Sequence, residues 1–271
     1  MSRTPIIILV TFIIIAILVV GVYHMEQSPE NNEKKSNQDR SYETAYLIGI
    51  DQNDFPPFLI HGESKSEITG FDIEIIRWIG DEMKFHLDFV PLSWDALFSS
   101  LDAKEVDMII SGVSITPERE KQYLFSDPYL SVSQSIAIHA NSTMFLDDFY
   151  AGHGIVGVEE GTTSEDAVIA ILIDSGILPA ENLRKYSNSE LGVLNLANGS
   201  IDFLISDWPV MISFVQKYPI HIIGEIETGE SYGIALHKDR EYLQRIVNTG
   251  LNRLTASPDW DEMKHRYLLD Y

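Results

Sequence analysis

The 271-residue chain contains no cysteine. That absence removes disulfide cross-links, thiolate metal sites and a thiol nucleophile together. It also removes an N-terminal cysteine that could carry a lipid. Positive charge is scarce, with 19 Lys and Arg against 41 Asp and Glu and a net charge of −22. Phosphate binding needs clustered Lys and Arg, so the balance argues against nucleic acid as a partner. The eight histidines show no His-x-x-x-His spacing. No metal and no cofactor are expected on that ground. No short-period repeat is visible either.

Long apolar runs are rare, and the one that exists is at the start. Residues 6–22 are almost unbroken Ile, Leu, Val and Phe, with Thr11, Ala16 and Gly21 as the mildest members. At about 1.5 Å per residue such a helix spans roughly 25 Å, close to the hydrocarbon core of a bilayer. Before Glu26 the only charged side chain is Arg3, and acidic residues follow. This asymmetry keeps the N-terminus in the cytoplasm and sends the chain outward. A cleaved signal peptide is the alternative, with its shorter apolar region and small-x-small exit. The exit here, Gly21-Val-Tyr-His-Met25, has no such site, so an uncleaved anchor is favoured. Either way residues 1–25 are a membrane anchor or signal segment, and the folded part works on the outer face of the cytoplasmic membrane. Residues 26–44 lack aliphatic side chains and read as a flexible linker.

From Ala45 short apolar strands alternate with amphipathic helices. Strands are expected at 46–50, 85–90, 106–110, 155–158, 183–186, 201–205 and 221–223. Helices are expected at 71–83, 94–101, 164–174, 189–197, 209–216, 241–255 and 260–269. Residues 131–139 alternate as an extended crossing segment would, and 232–236 bring the chain back. The alternation implies α/β layers with largely parallel strands, and the two series suggest two lobes.

The densest stretch is 111–129, SGVSITPEREKQYLFSDPY. The apolar run before it reads as a buried strand whose carboxyl end is Ser111. Ligands of open α/β sheets sit at such ends. Gly112 and Ser114 would offer backbone N–H and C=O groups there, and Arg119 could hold a carboxylate through two parallel hydrogen bonds. A polar loop with a surface arginine is the plain alternative.

Four motifs in order carry a resemblance: Gly49-Ile-Asp-Gln-Asn-Asp-Phe-Pro-Pro-Phe58, Gly70-Phe-Asp-Ile-Glu74, the 111–129 stretch and Glu159-Glu-Gly-Thr-Thr-Ser164. A weaker fifth is Gly199-Ser-Ile-Asp-Phe-Leu-Ile-Ser-Asp207. Over about residues 45–270 the chain resembles the polar amino-acid family of solute-binding proteins that feed ABC importers. The resemblance implies an α/β, two-lobed periplasmic-binding-protein-like fold (type II) with two hinge strands, here preceded by an N-terminal transmembrane helix. Lobe 1 would be 45–132 plus 232–271 and lobe 2 would be 137–227. The implied partners are a free amino acid and an ABC permease and ATPase complex, with the membrane reached through the N-terminal helix.

An amino acid presents a carboxylate, an ammonium and a side chain. Arg119, aided by the backbone N–H and hydroxyl of Ser114, suits the carboxylate, and Ser111 at the strand end is counted among the ligand-binding residues. Thr163 and Ser164 open an expected helix whose free N–H groups favour an anion, or they simply cap it. Asp207, with the Gly112 carbonyl, suits the ammonium, unless it caps the helix that follows. Phe55 and Trp94 match aromatic walls of the family, while Phe58 and Phe71 read as packing. Asp72 and Glu74 read as a helix start rather than as ligands. Glu159 falls where relatives contact the ligand side chain. Gln52, between Asp51 and Asp54, falls near a position where some relatives place an acidic residue, within one residue of register. A carboxylate there would favour a polar or basic amino acid. A cyclohexadienyl dehydratase-like enzyme with Glu159 as general acid is one alternative, and a ligand-sensing subunit for a separate signalling chain is another.

Overall fold

The computed structural model describes residues 44–62 and 67–268. They belong to a compact unit that begins at Thr44. The expected membrane segment, 1–25, and nearly all of the 26–44 linker lie outside the described residues. Among the described residues no helix is long and apolar enough to cross a membrane.

The chain opens with β1 (Ala45–Asp51) and passes a small hairpin of Ile60–His61 with Ile68–Thr69. It then enters α1 (Phe71–Met83), which buries Ile73, Ile75, Ile76 and Ile79 completely. The helix entry requires Gly70, because φ there is 122° and a Cβ would lie 2.1 Å from the Phe58 carbonyl oxygen. Next come β2 (His86–Leu92), α2 (Trp94–Asp102), β3 (Met108–Ile109), α3 (Pro117–Glu120) and β4 (Tyr123–Phe125). The long β5 (Leu130–His139) leads to α4 (Leu146–Tyr150), β6 (Val156–Glu159) and α5 (Thr163–Val168). A π-helical stretch, Ile169–Ile173, extends α5. Then follow β7 (Leu183–Tyr186), α6 (Ser189–Ala197), β8 (Phe203–Asp207), α7 (Trp208–Val215) and β9 (Ile220–Tyr232). The chain closes with β10 (Ala235–His237), α8 (Glu241–Thr255) and α9 (Pro258–Leu268).

Two five-stranded sheets result, β2-β1-β3-β10-β4 and β9-β5-β8-β6-β7. In the first, β1 runs parallel to β2 and β3, and β10 runs antiparallel to β3 and β4. In the second, β6, β7 and β8 are parallel and β5 is antiparallel to β8 and β9. Helices α1 and α8 cover one face of the first sheet through Ile73, Ile76, Val247 and Leu251, and α2 covers the other through Leu97 and Leu101. The second sheet is covered by α6 and α7 on one face and by α4 and α5 on the other. Burial on both faces explains why the inner strands read as unbroken apolar runs.

Two expectations change. The sheets are mixed rather than largely parallel, because β5 and β10 each run against the other strands of their sheet. The expected short strand at 221–223 is part of β9, a strand of 13 residues paired with β5. Its ladder shifts register between Ile222 and Gly224 and again between Ile226 and Glu230. At its far end Tyr232 bridges Ser114, so the β5–β9 ribbon reaches from the second sheet to the first.

Candidate functional site

The carboxyl ends of strands from both sheets meet at one place, as expected for ligand sites in α/β sheets. Asp51 ends β1, the 111–114 loop follows β3, Glu159 ends β6 and Asp207 ends β8. With Phe55, Trp94, Arg119, Thr162 and Thr163 they line a cleft of about 350 Å³ of empty space, its mouth included. Among the ten residues singled out from the sequence, all but Ser164 line this cleft.

Arg119 is placed by α3, where Thr116 caps the helix by accepting the Arg119 N–H at 3.2 Å and Pro117 fixes the first turn. Its Nη1 donates to the Ser114 carbonyl at 2.9 Å and its Nη2 to the Gly161 carbonyl at 3.3 Å. The guanidinium lies over the rings of Phe98 and Trp94, 5.1 and 5.6 Å from their centroids. Among the described residues no ion pair uses it. Burial pulls its pKa below the usual value, and the charges of Asp166, Glu230 and Asp207 oppose that. Trp94 is half-buried, and its indole N–H also donates to the Gly161 carbonyl, at 3.1 Å. Glu165 accepts the Gly161 N–H at 2.8 Å and is itself paired with Lys185. Two side chains from helices beside the first sheet thus meet one fixed carbonyl beside the second.

Asp207 is buried, and its carboxylate accepts from the Tyr232 hydroxyl at 2.7 Å and from the Gln134 amide. It makes no side-chain bond to α7, so the capping alternative is set aside. Burial first, and the Glu230 charge second, push its pKa up to about 7. Glu159 is buried with one oxygen on the Ser189 hydroxyl at 2.6 Å. Burial pushes it up to about 7 as well, with Asp51 and Asp207 adding repulsion. Asp51 is raised by burial and held by the Asn53 backbone and side-chain N–H groups. The cleft therefore collects three carboxyl groups around one guanidinium.

Several expected roles are corrected. The Gly112 N–H is not bare, because Asp72 accepts it at 2.6 Å. Asp72 is fully buried, also accepts the Tyr129 hydroxyl at 2.8 Å, and has its pKa pushed up to about 7 by burial. It shapes the 111–114 loop from beneath and is more than a helix start. Ser164 turns away from the cleft and donates to the Gln134 side chain at 2.6 Å. The cap position of α5 belongs to Thr162, whose hydroxyl instead donates to the Glu159 carbonyl. Ser111 uses its hydroxyl oxygen to accept the Asp51 N–H at 3.1 Å. Gln52 is exposed, and Asp51 takes the acidic place beside it.

Sequence reasoning missed Thr162, Gln134, Glu230 and Tyr232, and treated Asp51 only as a neighbour. Asp51 ends an apolar strand, the same signal that identified Ser111. Gln134 falls in phase with Val132, Ile136 and Ile138 on β5, and a polar residue on an apolar face is a signal for a buried network.

Residues 47–270 match the family model described as bacterial extracellular solute-binding proteins, family 3. The chain belongs to this family. It is 27% identical over 209 residues, 76% of each chain, to a probable histidine-binding protein of Neisseria gonorrhoeae. It is 29% identical over 230 residues to the arginine-binding periplasmic protein of Mannheimia haemolytica, covering 83% of this chain and 92% of that one. An ancestral arginine-binding protein solved bound to arginine matches with a TM-score of 0.75 and 28% identity, over 83% of this chain and 99% of that chain. The two sheets are accordingly the two lobes of a periplasmic-binding-protein-like fold, and the cleft between them is where this solute-binding protein presents its strand ends.

Proposed function

We propose that this solute-binding protein captures an α-amino acid with a cationic side chain and delivers it to an ABC permease and ATPase. The observation that carries the reading is the charge pattern of the cleft. Asp51, Glu159 and Asp207 face one guanidinium that has no ion-pair partner among the described residues. Arg119 would take the ligand carboxylate with the Ser114 N–H and the first turn of α5 at Thr163. Asp207 would take the ammonium together with the Gly112 carbonyl. Phe55 and Trp94 would flank the aliphatic stem. Asp51 and Glu159 would meet the distal cation, which suits arginine, lysine, ornithine or histidine. The relatives named for arginine and histidine support this class.

Lobe 1 is assigned to 45–132 plus 232–271 and lobe 2 to 137–227, with residues 1–25 as an anchor that keeps the folded part outside the cytoplasmic membrane. A thermal-shift screen of the twenty amino acids and ornithine tests the ligand class, because a ligand bound only by the folded state raises its apparent stability. Basic amino acids are expected to give the largest shifts. A shift confined to acidic or apolar amino acids would refute the reading. The raised pKa of Glu159 also suits a general acid, and turnover of prephenate or arogenate would establish a dehydratase instead.

A further inference from the structure

Behind Asp207 lies a second buried carboxylate that the cleft does not expose. Glu230, on β9, is 8% exposed. Its Oε1 accepts from the Thr228 hydroxyl and from Gln134 Nε2, each at 2.7 Å. Its Oε2 is buried without a hydrogen-bond partner among the described residues. The same Gln134 amide nitrogen donates to Asp207, while Gln134 Oε1 accepts from Ser164. The two carboxylates fix the amide orientation, since a flipped amide would set its oxygen against both, and the Ser164 hydroxyl serves the oxygen on the other side. One fully buried glutamine thus ties two carboxylates together at the ammonium end of the proposed site.

We infer that Glu230, held beside Asp207 by the Gln134 amide that both accept from, is a positioning residue that sets the pH range over which Asp207 accepts a ligand cation. The inference rests on the amino-acid reading above. Asp207 is faced by Glu230 and Tyr232 from β9, Glu159 from β6 and Arg119 from α3, while Asp166 of α5 faces Arg119. Glu230 repels charge on Asp207, so Asp207 keeps a proton at a higher pH than burial alone would cause. The Gln134 donor works the other way by bonding the ionised form. A ligand ammonium needs that form, so the proton must leave as the ligand enters.

The test measures arginine affinity from pH 5 to 8 by calorimetry, since arginine keeps its charges across about this range. A Glu159→Gln background keeps that second carboxyl out of the profile. Affinity is expected to weaken as pH falls through about 7. Glu230→Gln should move the midpoint down by about one unit, which is about tenfold tighter binding than the parent on the acid side. Gln134→Met should move it up. Superimposable Glu230→Gln and parent profiles, in a variant that unfolds cooperatively, would overturn the inference while leaving the amino-acid site standing. Loss of all amino-acid binding in the wild-type protein would overturn both. Should Gln134→Met fail to fold, the downward shift in Glu230→Gln decides alone, because a purely structural role weakens binding without extending it to lower pH.

Discussion

Arg119 sits in a strongly acidic chain, stacked on two rings and bonded only to carbonyl oxygens. A planar fork held in this way presents its remaining N–H groups at a fixed angle, which a lysine cannot copy. Arg119→Lys should therefore weaken amino-acid binding by about 1.5–3 kcal/mol, roughly ten- to a hundredfold by calorimetry. Unchanged affinity would remove Arg119 from the carboxylate role. Gly112 is constrained differently: its φ is +59° and an added Cβ would lie 2.4 Å from Phe55 Cε1. Gly112→Ala is expected to cost about 1–3 kcal/mol in denaturant unfolding and to displace Phe55 from the cleft wall. At this scale the sequence was readable where a residue stands at the end of an apolar run, as Asp207 and Ser111 do, and Arg119 was read from the polar stretch that follows Ser111. Glu230 was not, because its partner Gln134 is 96 residues away, and no spacing rule spans that distance.

Helix α1 joins stability to pH through Asp72. Burial pushes this carboxyl up to about 7, so the folded protein holds its proton to a higher pH than the unfolded chain does. A raised carboxyl stabilises on the acid side and loses that contribution as pH rises through the folded value. Asp207 and Glu159 have the same sign. Between about pH 4 and 7 the ligand-free protein should thus lose stability as pH rises, by up to about 1.4 kcal/mol per unit for each fully titrating group. Urea unfolding at several pH values should show the slope, and Asp72→Asn should flatten it. A wild-type stability that climbs over that range would refute the assignment. Element α1 was legible from its apolar spacing, and α1 and α6 have the expected ends at 71–83 and 189–197. β9 was not, because its ladder shifts register twice and Gly224 and Gly229 break the apolar pattern that marks a strand.

Over the whole molecule the acidic balance becomes a field. The chain carries a net charge of −22 and its cleft holds three carboxyl groups and one guanidinium, so a cationic ligand should be steered toward it. Stopped-flow fluorescence, with Trp94 at the cleft as reporter, should show arginine association slowing as ionic strength rises. A salt-independent rate would show that steering plays no part. The contact of Trp94 and Arg119 with Gly161 ties that reporter to the approach of one lobe to the other. How the lobes part again is a matter of mechanics. The β5–β9 ribbon should bend most easily where its ladder lapses, between Ile226 and Glu230, because fewest paired bonds would have to deform there. Glu230 lies at the end of that irregular stretch, so flexing there would pull on the carboxylate pair, and stiffening those few residues should lengthen the residence time of a bound solute.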